Sequence, residues 1–97
     1  MSRTVTRKLT TILAADAAGF SRAMDADEMG TYAKLNASKD IFSKLIIRNG
    51  GRIANTAGDG LIADFSSPVE ATRCAIEVQN ELASSDKGLQ FRIGIHL

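Results

Sequence analysis

The stretch Thr56-Ala57-Gly58-Asp59-Gly60-Leu61 constrains this chain more than any other. It separates two short strand-like runs, 52–57 and 61–65, and reads as a tight hairpin. Glycine accepts the positive φ that such a turn needs, and aspartate tolerates it. An antiparallel strand pair is thereby expected near the middle of the sequence. The segments on either side are helical. Upstream, Tyr32, Leu35, Phe42, Leu45 and Ile46 recur at helical spacing over about 25–48. Asp25 is the expected N-cap with Glu28 at the third position, a capping-box pattern, and Asn49-Gly50-Gly51 stops the helix. Downstream, Ser67, Pro68 and Glu70 mark a second helix start, and Ala71, Ala75, Val78 and Leu82 form its apolar stripe over 67–84.

A strand closes each end. Residues 8–16 are rich in Thr, Ile and Leu, and Ala17-Ala18-Gly19-Phe20-Ser21 breaks that pattern. In 89–97, Leu89, Phe91, Ile93, Ile95 and Leu97 alternate with Gln90, Arg92, Gly94 and His96, the period of a half-buried strand. The order is β-α-β-β-α-β: an α+β, ferredoxin-like plan with antiparallel sheet order 4-1-3-2 and both helices on one face. At 97 residues the chain is expected to form one domain, 1–97, with a short basic tail at 1–7.

This topology has a chemical consequence. The hairpin after the second strand lies at the same end of the sheet as the close of the first strand. The third strand starts there and neighbours the first at about 4.8 Å. Asp16 and Asp59 are therefore expected side by side. Adjacent carboxylates repel unless a cation lies between them, and magnesium suits such a pair because water and phosphate complete its shell. Gly19 lets a ligand approach the backbone, and amides from Ala18 to Ser21 would offer a phosphate site. Taken singly, Asp16 can merely end a strand and Asp59 merely fill a turn; their joint placement beside a glycine-bearing loop favours a metal site.

Composition excludes other classes. Net charge is +1, and the few aromatics (Phe20, Tyr32, Phe42, Phe65, Phe91) offer no base-stacking platform, so nucleic acid is not an expected partner. Cys74 is the single cysteine, which points to a reduced, cytoplasmic compartment. Asp16 interrupts the apolar run 9–18, which argues against a signal peptide, and no run approaches a membrane span.

The residues also resemble a family. Ile12-Leu13-Ala14-Ala15-Asp16-Ala17-Ala18-Gly19-Phe20-Ser21-Arg22 is similar to the opening of bacterial class III adenylate/guanylate cyclase catalytic domains. Gly50-Gly51-Arg52-Ile53 through Thr56-Ala57-Gly58-Asp59-Gly60-Leu61 resembles that family's second metal-binding hairpin. The segments 69–79 and 91–97 resemble its later helix and strand. The resemblance covers essentially the whole chain and corresponds to the N-terminal half of the family domain. It implies two divalent ions, Mg2+ or Mn2+, on Asp16 and Asp59, helped by the backbone carbonyl of Ala17. It further implies triphosphate contacts from Asp16, Ala17, Ala18, Gly19, Phe20 and Ser21 and from Ala57, Gly58 and Asp59. The reaction implied is attack of the ribose 3′-oxygen on the α-phosphorus of ATP or GTP, releasing pyrophosphate, at a head-to-tail dimer interface.

Two departures shape the expectation. Members that select adenine usually carry lysine where this chain has Asn55, a side chain that can still hydrogen-bond a purine edge. Family domains also continue past the position of Leu97 into a half bearing the second base-selecting residue and the transition-state Asn and Arg. The chain alone is therefore expected to be inactive, needing a partner copy or complementing half. The alternative is a non-catalytic βαββαβ regulatory or dimerisation module. His96 is expected as a half-exposed strand residue and Cys74 near the core. Lys34, Lys39, Lys44 and Arg48 are expected on a solvated helix face with Asp40 and Lys44 paired, and Asp64 in solvent.

Overall fold

A computed structural model describes residues 10–85 and 88–97. The basic tail at 1–7 and the first residues assigned to the opening strand lie outside the described residues. The element order is β1 (Thr11–Ala17), α1 (Phe20–Ala26), α2 (Glu28–Arg48), β2 (Arg52–Ala57), β3 (Gly60–Phe65), α3 (Pro68–Ala83) and β4 (Phe91–His96). The four strands form one antiparallel sheet in the order β2-β3-β1-β4, the expected topology.

Alternation along β1 divides the two faces. Leu13, Ala15 and Ala17 are buried, whereas Ile12, Ala14 and Asp16 are partly exposed. The buried side joins Leu61, Ala63, Phe65 and Phe91 to Leu35, Phe42, Leu45 and Ile46 of α2 and to Ala71, Cys74, Val78 and Leu82 of α3 in one core. Phe42 meets Phe91 edge-on at 4.9 Å between ring centroids, a favourable aromatic geometry. Burial pushes the Cys74 thiol up to about 11, with Glu77 adding to the shift, so the thiol stays neutral at physiological pH. The two long helices are also tied at their rims. Asn49 Nδ2 donates to Glu77 Oε1 at 2.9 Å and to Leu45 O at 2.8 Å.

Several local expectations are corrected. Helix begins earlier than the capping pattern at Asp25 suggested: Asp25 lies inside α1, and the chain breaks at Asp27, which is extended at φ −160. Asp27 is the true N-cap of α2, its carboxylate accepting from Gly30 N at 3.0 Å. A Cβ at position 30 would press on that carboxylate, so a larger residue there would require the Asp27 side chain to shift. Tyr32 is 49% exposed and leaves the apolar stripe, while Thr31 and Ser38 are buried because they have polar partners. Thr31 Oγ1 donates to Ala23 O at 2.9 Å, and Ser38 Oγ accepts from Leu89 N at 2.9 Å. Leu97 is 91% exposed, beyond the end of β4. Lys44 does not pair with Asp40; it reaches Glu81 of α3 at 3.0 Å. In the hairpin, Gly58 alone takes a positive φ, of 55, the pattern of a type II′ turn.

The packing predicts a steep contrast between the two sides of α2. Phe42→Ala should cost about 3–5 kcal/mol in urea unfolding, because it opens a cavity at the centre of the core. Ile47→Ala, at a side chain 70% exposed, should change stability by less than about 0.5 kcal/mol.

Candidate functional site

The register of β1 assembles the site. On one side Asp16 lies opposite Gly60, the residue after Asp59; on the other it lies opposite Arg92. Asp16 belongs to the partly exposed face of β1 and accepts from Arg92 Nε through Oδ1 at 2.8 Å. Asp59 turns its carboxylate back onto β1, where Oδ2 accepts from the amide of Ala17 at 3.2 Å. The two aspartates, 43 positions apart in sequence, thus converge at one end of the sheet. Each uses one carboxylate oxygen in these contacts.

The loop after β1 takes its shape from Gly19, whose φ of 66 is left-handed and whose Cβ position faces open space. No side chain caps α1, and the first intrahelical bond runs from Ala23 N to Gly19 O at 3.0 Å. The amides of Phe20, Ser21 and Arg22 therefore have no partner within the helix. Ala18 differs from the sequence expectation: its amide donates to Gln90 O at 2.8 Å, so it anchors the loop to the segment before β4 and is not a free donor. Ala57 closes β2 opposite Gly60, and Gly58 opens the turn.

On the face of the sheet away from α2 and α3, a groove of about 560 Å3 is lined by Asp16, Asn55, Gly60, Arg92, Gly94 and His96 among others. Asn55 is exposed and pairs with Ile62, which pairs with Ala14, so Asn55 and Asp16 share this groove two strands apart. His96 pairs with Ile12, four residues from Asp16, or about 13 Å along the strand. Asp64 is not in the groove's acidic end. It is a cross-strand partner of Arg52, ion-paired at 2.9 Å with its side chain only 20% exposed, which corrects the expectation of a solvated carboxylate.

Among the described residues no group of three or more His, Cys, Asp or Glu side chains converges on a metal-sized site. Two neighbouring carboxylates remain, Asp16 and Asp59. That donor set fits magnesium or manganese, which take one or two carboxylates and fill their shells with water and phosphate oxygens.

No family model matches the chain. A protein from Rhizobium meliloti (strain 1021) named "Putative adenylate cyclase 3" is 36% identical over 100 residues, covering 96% of this chain and 17% of the relative. The crystal structure of an adenylate/guanylate cyclase/hydrolase from Silicibacter pomeroyi superposes with a TM-score of 0.78 at 34% identity, over 89% of this chain and 54% of that one. The chain belongs to the class III adenylate/guanylate cyclase family. A Trypanosoma brucei adenylate cyclase in its monomeric state shares the fold, with a TM-score of 0.86 at 18% identity over 90% of this chain and 54% of that one. The chain therefore spans 17% of the curated relative and about half of each of these cyclase structures.

Within this cyclase-family chain, Arg92 is the site residue that sequence reasoning passed over. The alternation of β4 already placed Arg92 on the face opposite the core, but only the β1–β4 register brings it to Asp16. The pair is half in solvent, with Asp16 and Arg92 side chains 50% and 71% exposed, so its own worth is at most about 1 kcal/mol. Arg92→Gln should leave urea stability within that margin. The same variant should bind Mn2+ more tightly in the absence of nucleotide, because the competing guanidinium is gone; an Mn2+ titration checks this.

Proposed function

We propose that this chain is the metal- and triphosphate-binding part of a single nucleotide cyclase domain that converts ATP or GTP to a 3′,5′-cyclic nucleotide and pyrophosphate in intracellular signalling. One observation carries the reading: Asp59 is anchored on the Ala17 amide, beside Asp16, at the end of β1. A strand ending and a turn filler have no reason to share such a contact.

The geometry and the family resemblance together support these roles. Asp16, Asp59 and the Ala17 carbonyl are the groups that would hold Mg2+ or Mn2+, two ions in the family pattern. When bound, the ions supply charge neutralisation at the phosphates and an acidified ribose 3′-hydroxyl. The amides of Phe20 and Ser21, opened by Gly19, would donate to phosphate oxygens at the mouth of the groove. Arg92 is held only through exposed contacts, so it can leave Asp16 for a phosphate oxygen once a cation takes its place. Asn55 is positioned along the same groove to meet the edge of the base with both a donor and an acceptor. The 3′-hydroxyl gives up its proton to solvent, its oxygen bonds to the α-phosphorus as the bond from that phosphorus to the bridging β-phosphate oxygen breaks, and pyrophosphate leaves.

Groups that would stabilise the developing charge lie with a partner copy or a complementing half, which the open face of the sheet is free to receive. A cytoplasmic setting agrees with the reduced Cys74 and with the substrate. Among the described residues no helix is long and apolar enough to cross a membrane. The rival reading, a non-catalytic dimerisation module, draws its support from Asn55 in place of the family's lysine.

Thermal melts separate the two. Mn2+ at a hundredfold its Kd should add about 2.7 kcal/mol, several degrees in Tm for a domain this size, and ATP should add to the shift. Asp16→Asn and Asp59→Asn should each abolish the metal-dependent rise, whereas Asp64→Asn should retain it. No shift in the wild-type chain would favour the dimerisation module. For turnover, the 97-residue polypeptide incubated with Mn2+ and ATP should yield no appreciable cyclic nucleotide by chromatography. Each missing electrostatic group costs about a hundredfold or more in rate. Robust product would show that the residues present suffice.

A further inference from the structure

Lys39 stands out among the cations of α2. The sequence places it with Lys34, Lys44 and Arg48 on a solvated helix face, yet its Nζ donates to the carbonyl oxygen of Gly58 at 2.8 Å. That carbonyl belongs to the same planar peptide unit as the Asp59 amide, so fixing its direction fixes the rotation of the peptide from which Asp59 departs. Packing does not fix it: a Cβ at position 58 would meet nothing within 4 Å, and the residue has the φ of 55 that glycine adopts freely. Asp59 is consequently held at two points. Lys39 orients the peptide before it from the helix layer, and the Ala17 amide holds its carboxylate from the central strand at 3.2 Å.

We infer that Lys39 is a positioning residue, which clamps the β2–β3 turn so that the Asp59 carboxylate is set beside Asp16 before a divalent ion arrives. The inference rests on the metal-site reading above and extends it to a residue with no direct part in coordination. Without the clamp, the turn samples other arrangements, and binding must order it again at an entropic cost. The sign of the effect is diagnostic. A lysine acting through charge alone would repel the ion, so its removal would tighten binding; a clamp predicts the opposite.

The test uses the full chain, with free Mn2+ followed by electron paramagnetic resonance and amide exchange followed by NMR in the metal-free protein. Lys39→Met keeps the length of the side chain and removes its donor. It should weaken Mn2+ binding by about three- to tenfold, the net worth of one ordinary hydrogen bond for this exposed contact, and speed exchange at Asp59 and Gly60. Lys39→Arg, which still donates to a carbonyl, should recover most of both. Thermal midpoints of the metal-free variants should match wild type, since Lys39 lies outside the core. Unchanged or tighter Mn2+ binding in Lys39→Met, with wild type binding normally, would overturn the clamp while leaving the metal site standing. Absence of Mn2+ binding by wild type would overturn the metal site, and the positioning role with it.

Discussion

Everything that matters here depends on the pairing of β1 between its two antiparallel neighbours. Because the register sets Asp16 opposite Gly60 on one side and Arg92 on the other, a single strand position collects an acid, a hairpin and a base. Side chains alternate with a period of two, so a slip of one residue would send Asp16 into the core and Ala15 out of it. Burial of Leu13, Ala15 and Ala17 against the helices is what forbids that slip. The apolar side of the strand thereby holds the polar side in place.

The charge arrangement follows from the same pairing. Two carboxylates at one sheet end would repel, and the protein divides the problem between neutral and charged donors. Asp59 leans on a backbone amide, whereas Asp16 has an exposed guanidinium. Neither contact is deeply buried, so both can yield to a stronger cation without leaving an unpaired charge in a dry interior. This is a reasonable design for a site that must open to a highly charged ligand. The helices pack on the other face: α2 and α3 bury the core side of β1, β3 and Phe91 of β4, leaving the groove on the opposite face.

Much of this was readable from residues alone where local physics is decisive. The Gly58-Asp59-Gly60 turn, the Ser67-Pro68 start of α3 and the alternation of β4 each specify their own conformation, and the structure agrees on all three elements. Reasoning failed where two local signals competed. Asp25 carries a capping-box pattern, yet the helix breaks at Asp27 and it is the Asp27 carboxylate that accepts from Gly30 N. Polar residues in the core left no signal in the sequence, since Thr31 and Ser38 are buried against partners supplied from Ala23 and Leu89.

By itself, then, the sequence determined the four strands, the two long helices, their order and hence the convergence of Asp16 with the hairpin, though not the short helix α1, because strand and helix periodicities and turn chemistry act over a few residues. Only the tertiary structure decided which side chains complete the site. Arg92 at Asp16, Lys39 at Gly58, Lys44 at Glu81 and Arg52 at Asp64 are contacts between elements. A long cation has several acids and carbonyls within its reach, and sequence spacing ranks them only along one helix. The choice among them is made by strand register and helix placement, which buried packing fixes and no local pattern encodes.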